Sequence, residues 1–279
     1  MSKLSPNVLN QLRRKVSVDK SNYGANWSDL LQSPPMVVLL TGFCRFNGKS
    51  YDEKIEETLN RIKAQNSLIC NIVDISDEMT EFVNNFSGKV NYNPDIPFHR
   101  EVVLTDLYRL IAMKKFHHNL TVKGNYNVRI GWIDADLILT DNFDLTHNTA
   151  FCRVVTKRKD YVDMSLSNGL MYTNNIDLID RWIKVFEYDE SVDTVDFSNF
   201  SRGFIKSLMT ENRGNPYGIK CLGDVISFTS YHDTKQWDHD HNLLLDSIKN
   251  DSGSLVGYNL SLSWHPKEID YLLSKVTEK

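Results

Sequence analysis

The sequence predicts a single α/β domain with a mostly parallel central sheet flanked by helices, and three observations predict it. Two apolar runs, MVVLLTGFCR (36–45) and SLICNIVDIS (67–76), are rich in β-branched residues, the pattern of strands buried on both faces. A segment of helical periodicity lies between them, so the three form a βαβ unit, which crosses over right-handedly. Helical and strand patterns then alternate again, with no internal repeat and no low-complexity tract.

Taken in order, residues 1–35 are polar, carry Arg13, Arg14 and Lys15, and end in Ser33-Pro34-Pro35, a stop before the first strand. They read as an N-terminal polar, helical extension, with the domain proper spanning 36–279. The helix after the first strand opens with Ser50 and Glu53 at capping-box spacing and places Ile55, Leu59 and Ile62 on one face. Over 99–118, Val103, Leu107, Leu110 and Ile111 recur at helical spacing, followed by the polar stretch HHNLTVKGNYN. NVRIGWIDADLIL (127–139) reads as one strand with Asp134 and Asp136 towards its far end. A further helix fits 175–188, and a last strand fits DVISFTSY (224–231). In such a sheet the ligand crevice lies at the carboxyl ends of the strands.

Composition excludes several classes. With 41% apolar and 11% aromatic residues, the 279-residue chain can bury a core and is no disordered segment. A formal net charge of −4 disfavours a protein that coats nucleic acid by neutralising phosphates. Cys44, Cys70, Cys152 and Cys221 are far apart, without CxxC or zinc-finger spacing, as in a reduced chain. No run approaches the roughly 18 apolar residues of a membrane span, and the N-terminus lacks an apolar signal core. The expectation is a soluble, cytoplasmic protein, in which Asn26-Trp27-Ser28 carries no glycan.

The chemistry concentrates at Trp132-Ile133-Asp134-Ala135-Asp136. Two carboxylates two residues apart at the end of an apolar strand repel each other unless hydrated or paired. A divalent cation removes that cost, and hard oxygen ligands suit Mn²⁺ or Mg²⁺, whose shell substrate phosphates complete. The alternative is an exposed turn. Upstream, Thr105-Asp106-Leu107-Tyr108-Arg109 puts Asp106 and Arg109 three apart on one helix face, where an ordinary ion pair also fits.

The pattern (Ser/Thr)-Asp-x-x-Arg on a helix, then aromatic-x-Asp-x-Asp at a strand end, resembles GT-A-fold glycosyltransferases that use sugar nucleotides. The likeness is to retaining glucosyltransferase toxins and mannosyltransferase-type enzymes. It implies a Rossmann-like GT-A domain and a nucleotide-sugar donor, UDP-sugars favoured, with a hexosyl or pentosyl group transferred with retention. By the same resemblance Asp106 and Arg109 hold the donor sugar, Trp132 lies by the nucleotide, and Asp134 and Asp136 bind the metal. The family joins these motifs through a short Gly-Gly turn, whereas here Phe116 to Gly131 intervenes.

Further stretches fit the resemblance. Thr41, Gly42 and Arg45 end the first strand, beside the nucleotide in such a fold, and Arg45 can meet a phosphate. Ser167-Asn168-Gly169-Leu170-Met171 is similar to a family stretch beside the donor sugar, putting Asn168 and Gly169 there; a tight turn with glycine at positive φ is the other reading. Ser263-Trp264-His265-Pro266-Lys267 is similar to a late segment that closes over the diphosphate, with Trp264 and Lys267 on the donor and His265 a third metal ligand. His232, His239 and His241 compete for that role. Asp224 resembles a late acidic position and is a candidate catalytic group, or else a strand-start acid.

Two rivals stay open. A haloacid-dehalogenase-like Mg²⁺ phosphatase also needs an apolar strand ending in Asp-x-Asp, but Ile138 stands where Thr or Val belongs, and Gly223-Asp224 lacks the usual second acid. A non-catalytic nucleotide-sugar-binding module would keep the carboxylates without turnover. The acceptor is a glycan, a protein or a modified DNA base; for DNA, Arg13-Arg14-Lys15 and RVVTKRK (153–159) offer local positive charge.

Overall fold

The computed structural model describes residues 36–44, 53–122, 127–192, 200, 204–205, 207–208, 217–228, 236–260 and 266–277. The first apolar run folds as β1 (Met36–Thr41), and all but its first residue are buried. Helix α1 (Glu53–Asn66) follows, with Leu59 and Ile62 buried and Ile55 half-buried, the face expected from periodicity. β2 (Asn71–Asp74) pairs parallel with β1, completing the βαβ unit. It is shorter than the apolar run because Ser76 starts α2 (Ser76–Asn85), a helix not anticipated from the sequence. Asp74 makes that stop: its Oδ1 accepts from Ser76 N at 3.0 Å and Ser76 Oγ at 2.6 Å, meeting a helix-start donor that has no intrahelical partner.

α3 (His99–Val122) runs past the expected end through the polar HHNLTV stretch, with Phe116 and Leu120 still buried. The run 127–139 is not one strand. β3 (Val128–Ile133) ends before Asp134, and β4 (Leu137–Leu139) begins after Asp136. A hairpin then forms from β5 (Thr149–Lys157) and β6 (Val162–Thr173), closed by Arg158 N donating to Tyr161 O at 2.7 Å. Neither strand was expected, because half-buried polar residues along β6 hide the alternation. α4 (Ile176–Lys184) is capped by the Asn175 side chain, which accepts from Leu178 N. β7 (Lys220–Ser227) starts four residues before the expected Asp224, and α5 (Trp237–Asn250), β8 (Leu255–Asn259) and α6 (Pro266–Thr277) complete the order.

The strands form one sheet in the order β2-β1-β3-β6-β5-β7-β8-β4. β6 runs antiparallel to β3 and β5, and β4 antiparallel to β8; the other neighbours are parallel. The expected mostly parallel α/β sheet is therefore present, with six strands pointing one way. Met79, Leu104 and Trp182, from α2, α3 and α4, cover one region of the sheet, in one core with Val38, Leu40 and Trp132. Ile62, Leu244 and Leu272, from α1, α5 and α6, join Ile138, Val155 and Ile226 in another.

Two topological facts place the site. From β1 the chain passes to β2 on one side and returns to β3 on the other, so the carboxyl ends of β1 and β3 flank a switch point, where α/β sheets bind ligands. β3 and β4 are third and eighth in the sheet yet only three residues, 134–136, separate them. A flat sheet would set them about 24 Å apart. Four peptide units span at most about 14 Å. The sheet therefore curls, and its far edge returns to the end of β3. Asn66 of α1 secures that edge, donating to Leu137 O at 2.7 Å and accepting from Leu139 N at 2.8 Å. Among the described residues no helix is long and apolar enough to cross a membrane.

Candidate functional site

Strand alternation puts Trp132 and Asp134 on the same side at the end of β3, and the buried indole Nε1 donates to Asp134 Oδ1 at 2.7 Å. α3 packs beside β3 and sets the Arg109 guanidinium over the Trp132 ring, 4.9 Å from its centroid. Arg109 forms an ion pair with Asp106, and its Nη1 lies 3.6 Å from Asp134 Oδ1. The i,i+3 spacing read from the sequence thus produces a pair that also reaches the carboxylate turn. Burial pushes the Asp106 carboxyl above its ordinary value; Arg109 opposes that shift and the charge on Asp134 adds to it.

β6 delivers the next contacts. Phe151 pairs with Met171 but Cys152 pairs with Ser167, so residues 168–170 bulge from the ladder. The bulge carries Asn168 O to Arg109 Nη1 at 3.4 Å, and Gly169 O accepts from Asp134 N at 2.7 Å. Gly169 is not among the positive-φ glycines; its requirement is steric, because a Cβ there would lie 2.6 Å from Asp134 Oδ2. Gly169→Ala must displace that carboxylate. If Asp134 acts in catalysis, activity should fall by about 10²-fold, the cost of a misplacement near 1 Å, with the melting temperature little changed; steady-state kinetics and calorimetry check both.

The turn itself is closed by Leu137 N donating to Asp134 O at 3.0 Å. Asp136 faces the returning edge: Asn259 Nδ2 donates to its Oδ1 at 3.2 Å, and Leu260 N to its backbone oxygen at 2.9 Å. Next to the turn a narrow recess of about 20 Å³ opens at the ends of β1, β2 and β3, lined by Thr41, Gly42, Asn60, Lys63, Asp74, Ile133 and Ala135 among others. Lys63 Nζ lies 2.6 Å from Asp74 Oδ2. Burial works to raise the Asp74 carboxyl, but its bonds with Lys63 and Ser76 outweigh that and hold it below 3.8. Asp74 therefore stabilises the fold above that value and loses the contribution as pH falls through its lowered folded-state value. Ser76→Ala should be less stable than wild type near neutrality, with the difference shrinking below pH 3.8, as urea denaturation at two pH values would record.

Thus Asp106, Arg109, Trp132, Asp134, Asn168 and Gly169 form one contact cluster, in which Trp132 is buried in the core and not open to a nucleotide, while Thr41 and Gly42 line the recess on the other side of the turn and Asp136 faces β8. Asp224 does not join them. It is fully buried in β7, with Arg153 Nε 2.6 Å from its Oδ1 and Nη2 3.1 Å from its Oδ2, while Arg153 also pairs with Asp251. Asp224 is three residues before Ser227, the register partner of Asn259, and so lies about 10 Å back along the strand. Lys267 is exposed on the first turn of α6. Arg45, Trp264, His265 and His232 lie outside the described residues, as do residues 1–35. His239 is exposed beside Asp240, and His241 stacks on Trp237 and bonds the Tyr258 hydroxyl at 3.1 Å.

Three of the four cations in the basic run 153–159 are paired with acids, and Lys159 is exposed. Besides Arg153, Lys157 pairs with the buried Asp240 at 2.5 Å and Arg158 with Asp163 at 3.7 Å. Asn259, Lys63 and Asp74 had no local signal; Asn259 is 123 residues from the carboxylate it bonds.

Among the described residues no group of three or more His, Cys, Asp or Glu could hold a metal ion. Two carboxylates do suit a hard divalent cation whose remaining ligands are water and phosphate oxygens, and glycine at 169 leaves space on the Oδ2 side of Asp134.

Neither a protein-family model nor a curated protein sequence matches the chain. Among solved structures it is similar to one described as the crystal structure of a glycosyltransferase involved in the glycosylation of the major capsid of PBCV-1. Identity is 10% and the TM-score 0.43, over 86% of this chain and 100% of that one. At that TM-score the functional reading rests on the residues of the crevice.

Proposed function

We propose that the chain is a metal-assisted glycosyltransferase of the GT-A type, which takes a sugar from a nucleotide donor, UDP-sugars favoured, with retention. The observation that carries the reading is the 134–136 turn at the switch point. It joins the Asp106–Arg109–Trp132 cluster on one side to the recess beside β1 on the other, with Ala135 lining that recess. The nucleoside would lie across the mouth of the recess, over Thr41 and Gly42, without entering it. The donor sugar lies towards Asp106, Arg109 and the Asn168-Gly169 bulge.

Asp134 and Asp136 would hold Mn²⁺ or Mg²⁺, which supplies Lewis-acid stabilisation of the leaving diphosphate. Arg109 is preorganised by Asp106 and by the indole face, so its charge costs no rearrangement as negative charge develops nearby. The acceptor is a glycan or a protein in preference to a DNA base, because three of the four cations in the 153–159 run, Arg153, Lys157 and Arg158, are paired with acids.

Donor hydrolysis by the purified protein tests the reading. UDP-sugar cleavage that requires Mn²⁺ or Mg²⁺ is the expected result. Cleavage of a phosphomonoester in place of every sugar nucleotide would assign the turn to a phosphatase, and donor binding without turnover would leave a binding module.

A further inference from the structure

We propose that Trp132 is a positioning residue for Asp134 and Arg109, not an aromatic that stacks on the nucleotide: its indole N–H fixes one oxygen of the carboxylate while its ring face seats the guanidinium. The inference rests on the donor-transfer reading above and gives this side chain a different task from the one its place in the motif implies.

The backbone places the ring first. Trp132 pairs with Leu40 of β1 and Met171 of β6, so it is flanked by strands on both sides one residue before β3 ends. Its side chain belongs to the same core as Leu104, Leu107 and Tyr108 of α3 and is 2% exposed. A base needs an open ring face to stack on, and at that exposure the indole offers none; the Arg109 guanidinium already lies 4.9 Å from its centroid. The polar edge of the ring does reach the site, because Nε1 donates to Asp134 Oδ1 at 2.7 Å. The Asp134 side chain keeps 30% of its surface exposed. The carboxylate is therefore gripped from the core and remains accessible from solvent.

An indole suits the task chemically. Its N–H is a donor only, so the contact has a single polarity, and it is neutral, so it orders the carboxylate without cancelling its charge. Oδ1 has that N–H at 2.7 Å and Arg109 Nη1 at 3.6 Å, while Oδ2 lies over the bare Cα of Gly169, where a Cβ would come within 2.6 Å. Both oxygens thus have fixed neighbours. The negative face of the same ring attracts the guanidinium, and Asp106 pairs with it from one turn earlier on α3. One rigid bicycle sets the spacing between the acid and the cation of the site, a spacing on which reaction rate depends steeply.

The experiment replaces Trp132 by benzothienylalanine, which keeps the bicyclic ring and puts sulfur in place of the N–H, and separately makes Trp132→Phe, with melting temperatures measured alongside. In both, kcat for UDP-sugar cleavage should fall by about 10²-fold, the cost of a misplacement near 1 Å, while KM changes far less. A raised KM at an undiminished kcat would return Trp132 to the nucleotide and overturn the proposal. The hydrogen bond has its own signature in the native ring: the Nε1–H magnetic resonance of Trp132, assigned through side-chain connectivity, should move upfield in Asp134→Asn, because a neutral amide accepts more weakly than a carboxylate. An unmoved resonance overturns the proposal as well. If wild type cleaves no UDP-sugar with Mn²⁺ or Mg²⁺, the donor-transfer reading falls and the catalytic purpose of the contact falls with it. If wild type cleaves and the benzothienylalanine variant keeps its rate, the positioning role alone is overturned. Should Trp132→Phe melt well below wild type, the benzothienylalanine variant decides, since it leaves the packing nearly unchanged.

Discussion

Asp136→Asn should lower metal-dependent donor cleavage by about 10²- to 10³-fold, the range expected when several kcal/mol of charge stabilisation on a leaving group is lost. The fold should survive. The backbone at Asp136 is held by Leu260 N and by the β4–β8 ladder, and an asparagine keeps nearly the same volume. The circular dichroism spectrum and melting temperature should stay close to wild type while Mn²⁺ binding with UDP is lost. Full activity in this variant would remove the carboxylate pair from the mechanism. Asp134→Asn should behave similarly but leave the Arg109 guanidinium facing a neutral amide, so it should also loosen the packing of Arg109 on Trp132.

The largest stability effect should come from Arg153→Leu, which should destabilise the protein by about 3 kcal/mol or more, because breaking a buried pair leaves an uncompensated charge. Asp224 has no exposed surface, and Arg153 meets both of its oxygens. The double variant Arg153→Leu/Asp224→Leu should regain much of the loss, since replacing both charges removes the stranded one. Urea denaturation of the two variants measures this directly. Donor cleavage per folded molecule decides the role of Asp224: unchanged rates in the double variant mark a structural pair, while a loss of several orders of magnitude would restore Asp224 to the reaction.

What was legible in the sequence follows from the range of the interactions involved. The βαβ start, the Asp106–Arg109 face and the carboxylate pair are set by neighbours within a few residues, where periodicity and spacing speak directly. The 127–139 run was harder. Its apolar residues continue through Leu139, and only the turn closed by Leu137 N onto Asp134 O divides β3 from β4. RVVTKRK read as a charge run because acids at 224, 240 and 251 meet its cations only after the hairpin packs against β7 and α5. Gly169 was visible as part of a motif, but its reason was not: it is a close approach to Asp134 and not a turn of positive φ.

The sequence by itself determined the α/β class and the identity of the carboxylates, because both are written in local patterns of burial and charge. The tertiary structure alone decided where those carboxylates sit and what faces them. Curling of the sheet brings Asn259 to Asp136 across 123 residues, and the bulge in β6 brings Gly169 under Asp134. It also withdrew Asp224 into a buried ion pair with Arg153, 71 residues away. The physical reason is the same in each case. A hydrogen bond or ion pair between distant residues depends on sheet order, register and curvature, which arise from packing the whole chain and leave no trace in the spacing of either partner's neighbours.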